Sequence, residues 1–418
     1  MDAPGSAFQK SMRLLMTRRF GTFWFASLLS NIGTWAQQVA QPWLLLSLGA
    51  SPFMLGLDSF ALGGPVLALT LVGGVLADRV NRRSLIAWCQ SVQMLCPTLL
   101  VVLLLGGSVR PWIVIALSLV VGVTDALSMP SFQTIVSTIV ERRQLPTGIA
   151  LNSTQFNLSR ILGPSLAGVL MASVGAVGAF AVSAVSYVPF IVVALWILPR
   201  TIAQSAAPAG GSQAAPFAGA REVMQRPDLR GALLTVLVSS TLCAPLLTFC
   251  PVLVREAFNA DISHFSLTMS AFGAGGLVGA LGLMATDPTR DQRAGSSWLA
   301  TGYGAIVVLA ALNTWAWGLP LLFVLGGLFM TASNASANAY LQSMAPVSIR
   351  GQTVSLFMLA MRGGVAIGSL LTGAAVSLLG VREALLLNGV LAIAAQFAVR
   401  RAWLRTAVPV RTAEVDRR

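Results

Sequence analysis

Four charged residues lie inside long apolar stretches of this 418-residue chain: Asp58, Asp125, Arg160 and Arg362. A charge at the centre of a membrane helix costs about 2.5–3.5 kcal/mol on insertion scales, so each of these residues needs a physical reason. A carboxylate in such a place can take up and release a proton, and a guanidinium can hold a carboxylate or an anionic ligand. The sequence therefore predicts proton transfer and anion binding rather than bond-making chemistry.

Asp125 and Arg160 are predicted at compatible depths, because a helix rises about 1.5 Å per residue. One hypothesis is a proton-sensitive pair, in which protonation of Asp125 releases Arg160. The alternative is a permanent structural ion pair, and the sequence leaves both open. Arg362 is a candidate for holding an anionic group of a substrate. Asp58 is predicted nearer the outer surface, where it lines the entrance of a cavity and is a further candidate for proton coupling.

The four charged residues lie in long apolar runs of the chain. The chain is 56% hydrophobic and 10% charged, whereas soluble domains contain about 25% charged residues. Backbone polar groups cannot stay unpaired in hydrocarbon, so runs of this length become membrane helices. We predict an all-α membrane protein of twelve helices, at residues 20–48, 53–77, 84–105, 111–138, 147–173, 176–198, 231–254, 264–286, 296–316, 319–343, 352–378 and 382–404.

The basic residues predict the orientation. Nearly all of the 27 Lys and Arg residues lie at the chain termini or in every second gap between helices, and only Arg110, Arg255 and Arg382 fall in the other gaps. Positive residues are retained in the cytoplasm. We therefore expect a multi-pass protein of the bacterial inner membrane with both termini cytoplasmic and a retained first helix. The net charge of +13 then reflects topology, and no nucleic-acid partner is expected.

The chain divides into two halves. A segment rich in Ala, Pro and Gly is typical of a flexible linker, and a weak repeat places Gly148 before Arg160 and Gly351 before Arg362 at similar spacing. The predicted order is a cytoplasmic segment, a six-helix bundle, a cytoplasmic linker, a second six-helix bundle with pseudo-symmetry to the first, and a cytoplasmic tail, at residues 1–19, 20–198, 199–230, 231–404 and 405–418.

The loop after the second predicted helix carries a motif, Gly74-Val-Leu-Ala-Asp78-Arg79-Val-Asn81-Arg82-Arg83. It resembles the signature of the major facilitator superfamily of transporters. By this resemblance, the motif residues form a cytoplasmic gate in which Asp78 pairs with a cationic group or a helix N-terminus. Asn81 replaces the usual glycine, and asparagine tolerates a left-handed backbone well. The alternative is that the arginines only set topology and the aspartate is incidental.

The fifth predicted helix contains Gly163, Pro164 and Gly168. This run resembles the G-P-x-x-G-G motif of drug–proton antiporters in the same superfamily, with Ala167 in place of one glycine. Proline removes a helix hydrogen bond and small residues allow close packing, which suits a helix that rocks between states. Those antiporters usually carry an arginine in helix four, and this chain has none there.

Polar residues form stripes at helical spacing on three predicted helices. Such stripes either line a water-accessible cavity or join helices by hydrogen bonds. We predict a substrate cavity between the halves, with Trp35 supplying an apolar wall. Together with Trp35 and Arg362, the proposed cavity residues are Asn31, Thr34, Gln38, Gln41, Asn152, Gln155, Asn334 and Asn338.

Several features limit the classes of function. The four cysteines are predicted to be buried apolar residues rather than metal ligands or disulfides, and the single histidine, His264, is predicted on the surface. We expect no metal, no cofactor and no enzymatic activity, since neither a phosphate-binding loop nor an acid–base constellation is present.

Helix one and the run 157–168 resemble the bacterial branch that contains enterobactin-type siderophore exporters and macrolide efflux pumps. This resemblance implies export of a bulky amphipathic small molecule by alternating access and proton antiport. The expected partners are that substrate, protons and the bilayer, and a monomer is expected. The alternatives are a transporter of the same fold that moves lipid, lysolipid or another solute, and a receptor or scaffold that does not transport.

Overall fold

The computed structural model describes residues 4–69, 80–197, 218–284, 292–346 and 349–404, and this part of the chain is helical with no strand. We number the helices in chain order. The first half contains α1 (Pro4–Leu15), α2 (Arg18–Ser47), α3 (Pro52–Gly63), α4 (Arg82–Leu105), α5 (Pro111–Ile139), α6 (Leu145–Ser173) and α7 (Gly175–Trp196). The second half contains α8 (Ala218–Gln225), α9 (Pro227–Ala257), α10 (Ile262–Met284), α11 (Gln292–Leu312), α12 (Gly318–Met344), α13 (Arg350–Leu379) and α14 (Val381–Leu404).

Ten helical segments in the described ranges are long and apolar enough to cross a membrane, including the one that begins with α3 and ends at Leu69. The two remaining long helices are α2 and α6, of 30 and 29 residues. They match the first and fifth predicted helices, and they are more polar because they carry two of the predicted stripes. The all-α membrane architecture is therefore confirmed.

Three local details differ from the sequence predictions. The first long helix of the second half, α9, begins at Pro227, inside the range 199–230 that was predicted as a linker. This helix, α9, is interrupted by π-helical turns at Ser239–Cys243 and Leu253–Ala257. Asn81 does not adopt a left-handed backbone; it has φ −60° and caps α4, its side-chain oxygen accepting from the Arg83 backbone N–H at 3.1 Å. A helix N-cap favours asparagine for this reason.

Each half forms its own helix bundle. In the first half, α2 packs against α6 and α7, and α4 packs against α5 and α7. In the second half, α12 packs against α10 and α11, and α11 packs against α14. The halves meet mainly along two helix pairs, α3 with α13 and α6 with α10.

The apolar core distinguishes the two ends of the molecule. At the end opposite the chain termini, one continuous core includes residues of both halves, among them Leu45, Phe180, Phe249 and Phe323. At the end that carries the termini, which we call the terminal side, each half has a separate core. The halves are thus packed together at the opposite end, whereas their cores are divided at the terminal side.

Close contacts between helices of the two halves hold the opposite end together. A Cβ on Gly56 of α3 would lie 2.5 Å from the backbone oxygen of Ser369 on α13, so only glycine permits this approach. Nearby, the backbone N–H of Phe53 donates to Ser377 Oγ at 3.1 Å. On the other helix pair, Ser165 and Ser270 share a hydrogen bond of 2.9 Å.

Candidate transport site

An ion pair joins the two halves halfway along the helices. Arg362 of α13 donates through Nη1 to Asp125 Oδ2 of α5. The side chains are 38% and 37% exposed, although each lies more than three helical turns from either end of its helix. Because lipid does not solvate charges, exposure at this depth is best explained by a water-accessible space between the halves.

Arg160 does not form the predicted pair with Asp125. Its guanidinium carbon lies 5.3 Å from the ring centroid of Trp35 on α2 and 5.8 Å from that of Phe272 on α10. These are cation–π distances. Within the described ranges, no carboxylate pairs with Arg160. Asp125 and Arg160 were predicted at similar depth, but depth does not determine the direction in which a side chain points around its helix. Arg160 points toward α2 and α10.

Asp58 is buried and does not line an entrance, contrary to the sequence prediction. It is 6% exposed. Gln41 Nε2 donates to its two carboxylate oxygens at 3.0 and 2.8 Å, and Ser118 Oγ donates to Oδ1 at 2.6 Å. A carboxylate that accepts several hydrogen bonds is held in one orientation. Asp58 therefore belongs to an internal network that joins α2, α3 and α5.

The polar stripe of α2 is divided between two roles. Thr34 Oγ1 shares a hydrogen bond with the Tyr187 hydroxyl at 3.1 Å, and Gln41 is buried in the Asp58 network. These two residues join helices. Asn31 and Trp35 are half-buried, and Gln38 is exposed, so these three remain candidates for the wall of a cavity.

The other two stripes are similarly divided. Asn152 of α6 and Asn334 of α12 are half-buried. Gln155 is 1% exposed, and its Nε2 has no hydrogen-bond partner among the described residues. Asn338 accepts a hydrogen bond from Gln342 Nε2 at 3.1 Å.

The glycines of the α6 motif face different helices. A Cβ on Gly163 would lie 2.4 Å from Trp35 Cβ on α2, whereas one on Gly168 would lie 2.6 Å from Ser266 Cβ on α10. Pro164 lies inside α6 and is buried. The motif therefore brings α6 close to a helix of its own half and to a helix of the other half.

The predicted gate lies partly outside the described residues. Gly74, Asp78 and Arg79 belong to the range 70–79, which the structure does not describe. Arg82 and Arg83 form the start of α4. The role of this loop stays a prediction.

His264 is not a surface residue, contrary to the sequence prediction. It lies near the start of α10 and is 9% exposed. Its Nε2 lies 3.0 Å from the Ala316 carbonyl oxygen, and its ring packs edge-on against Trp317. The four cysteines are free and buried, as predicted. No group of three or more potential metal ligands occurs in the described part of the chain.

Sequence reasoning missed the partners that complete these contacts. Ser118 donates a hydrogen bond to Asp58, and the Phe272 ring contacts Arg160. Serine is too common in membrane helices to single out, and Phe272 is one of 19 phenylalanines. The only indication in the sequence was the general rule that a buried charge requires a partner.

Solved structures with a similar fold include two membrane transporters. The nucleoside transporter NupG covers 94% of this chain with a TM-score of 0.70 and 13% identity, the match spanning 100% of NupG. A bacterial homolog of the human lysosomal transporter Spinster, inward-facing and occupied, covers 93% with a TM-score of 0.70 and 15% identity, the match spanning 98% of that chain. At these identities the likeness concerns the fold.

Curated relatives match most of the sequence. The staphyloferrin A transporter of Staphylococcus aureus is 24% identical over 88% of this chain and 92% of its own. The multidrug efflux pump Tap of Mycolicibacterium fortuitum is 26% identical over 79% and 83%. The enterobactin exporter EntS of Salmonella typhimurium is 26% identical over 87% of each chain. The family model described as transmembrane secretion effector matches residues 11–415, and the chain therefore belongs to this family of major facilitator transporters.

Proposed function

We propose that this chain exports a bulky amphipathic small molecule across the bacterial inner membrane by alternating access. The observation that carries this proposal is the division of the core: the halves share one core at the end opposite the termini and have separate cores at the terminal side. The distribution of basic residues supports a cytoplasmic terminal side. In this orientation the cavity opens to the cytoplasm, where an export substrate is loaded.

The relatives support export and the nature of the substrate. One is named as an efflux pump and another as an enterobactin exporter. The half-buried residues Asn31, Trp35, Asn152 and Asn334 combine polar and apolar surfaces, as a site for an amphipathic molecule requires. We propose that the protein works as a monomer and that it is not an enzyme.

Proton antiport is proposed to act through the ion pair between the halves. Protonation of Asp125 removes the negative charge that holds Arg362, so the link between α5 and α13 weakens and the halves can rock. Asp58 is the second proposed proton carrier, although its network links helices of the first half only. An inward proton movement gains about 2.3 kcal/mol per charge per 100 mV of membrane potential.

The proposed gate acts in the outward-open stage of the transport cycle. When the cavity opens to the outside, the terminal side must close. We propose that Gly74, Asp78, Arg79, Arg82 and Arg83 then contact the second half, as the motif resemblance implies. The pliable helix α6, with Pro164 in its interior, accommodates the change.

The experiment that tests the function compares small molecules in cells and medium by mass spectrometry. The strains are a deletion, a wild-type complement and an Asp125→Asn complement, grown with limiting and with abundant iron. We expect a compound that accumulates inside the deletion strain and is released only by the wild-type protein. Identical compound profiles in all three strains would contradict an exporter of an endogenous molecule.

A further inference from the structure

Arg160 is the mid-membrane charge that lacks a counter-ion within the described residues. Asp125 is already paired with Arg362. Asp58 accepts hydrogen bonds from two neutral groups, those of Gln41 and Ser118. Neither carboxylate contacts Arg160, whose ring contacts to Trp35 and Phe272 supply attraction but no negative charge.

The position of Arg160 suits a ligand that enters between the halves. Trp35 belongs to the first half and Phe272 to the second, so the guanidinium lies at their boundary. Trp35 also packs edge-on against Phe156 of α6, with ring centroids 6.0 Å apart, and Phe156 is 45% exposed. A cation and an exposed apolar surface are thus adjacent.

A second polar group beside Arg160 is also without a partner. Thr331 Oγ1 of α12 is buried and has no hydrogen-bond partner among the described residues. A Cβ on Gly276 would lie 2.9 Å from this oxygen and 3.8 Å from Arg160 Nη1. Thr331 Oγ1 and Arg160 Nη1 therefore both lie beside Gly276, which has no side chain to separate a ligand from them. Buried hydroxyls normally have a partner, and a ligand oxygen that reaches both groups would receive hydrogen bonds from both residues.

We propose that Arg160 binds the anionic group of the transported molecule, and that the substrate is an amphipathic carboxylate with an aromatic or aliphatic body. The guanidinium fork matches a carboxylate in shape and charge. Thr331 donates to the same group, and the apolar body lies against Trp35 and Phe156. This inference rests on the proposed function and specifies its substrate class, and it assigns to Arg160 the anion-binding role that the sequence suggested for Arg362.

The test measures binding of 1-pyrenebutyrate and of the neutral 1-pyrenebutanol to the purified full-length protein in detergent, by energy transfer from tryptophan to pyrene. We expect the wild type to bind the anion more tightly than the alcohol. Arg160→Gln should weaken binding of the anion by about 10- to 100-fold and leave the alcohol unchanged, since hydrogen bonds to charged groups are the stronger ones. Arg160→Lys should retain part of the preference.

Ser270→Ala is the matched control, because it alters the same α6–α10 boundary without changing charge, and it should behave as the wild type. Equal binding of the two probes by the wild type would overturn the inference, and this comparison needs no variant. Loss of the preference in Arg362→Gln but not in Arg160→Gln would also overturn it. Uptake of pyrenebutyrate into proteoliposomes is measured separately. Anion-selective binding without transport would support the role of Arg160 in binding and contradict the proposed export.

Discussion

Asp125 and Arg362 form an ion pair between α5 of the first half and α13 of the second, at the middle of both helices. The two residues are 237 positions apart in the sequence. In the proposed transport cycle, this pair links the halves, and its loss lets them move apart.

The first prediction concerns the coupling of transport to protons. Asp125→Asn removes the charge that a proton would neutralise, so the pair no longer responds to pH. We expect export to slow at least about tenfold, as losses of one essential proton-transfer group commonly do, and to lose its dependence on external pH. Substrate movement in everted membrane vesicles at a series of pH values measures both effects.

The control for this prediction is His264→Asn. His264 is the only histidine and its side chain contacts Ala316 and Trp317, away from the ion pair. Its replacement should lower stability without changing the pH profile. A pH profile that survives Asp125→Asn but disappears in His264→Asn would refute the assignment of Asp125.

The second prediction concerns the strength of the ion pair. Arg362→Gln leaves Asp125 without its partner, and an unpaired charge of this kind costs about 1–3 kcal/mol. The double variant Asp125→Asn with Arg362→Gln removes both charges and should recover part of the loss. Apparent melting temperatures of the purified variants test this. Additive effects of the two single changes would show that the pair contributes nothing to stability.

The third prediction uses the closed end of the molecule. The backbone N–H of Phe53 donates to Ser377 Oγ at 3.1 Å, so Phe53→Cys with Ser377→Cys should form a disulfide between α3 and α13 under oxidation. The natural cysteines are buried and do not compete. Oxidation should stop transport by holding this end closed, and a reductant should restore it. Either single cysteine variant is the control, and full transport by the oxidised double variant would argue against alternating access at this end.

The fourth prediction concerns the close approach of α3 and α13. Gly56→Ala places a Cβ 2.5 Å from the Ser369 backbone oxygen, so the helices must move apart and the apparent melting temperature should fall. Gly282→Ala is the matched control, because that glycine lies in α10 with nothing within 4 Å of an added Cβ. Alanine favours a helix over glycine by up to about 1 kcal/mol, so this control should be neutral or stabilising. Equal melting temperatures of the two variants would show that the α3–α13 approach is not tight.

Much of the architecture could be predicted locally. Long apolar runs indicated the membrane helices because the bilayer imposes internal hydrogen bonding on each segment separately. The polar stripes of α2 and α6 could also be predicted locally, because helical spacing places their residues on one face. The errors about Asp58, Arg160 and His264 arose because their partners come from distant segments. His264 was predicted on the surface because its contacts lie 52 positions away at Ala316.

The sequence by itself determined the all-α membrane architecture, the buried cysteines and the identity of the four charged residues inside the membrane helices. Only the tertiary structure decided which of these charges meet. The depth of a residue along its helix follows from its residue number. Which residues its side chain meets depends on the neighbouring helices, and the packing of the whole bundle decides which helices are neighbours. This is why Asp125 pairs with Arg362, why Asp58 lies within a closed network, and why Arg160 is left between two aromatic rings.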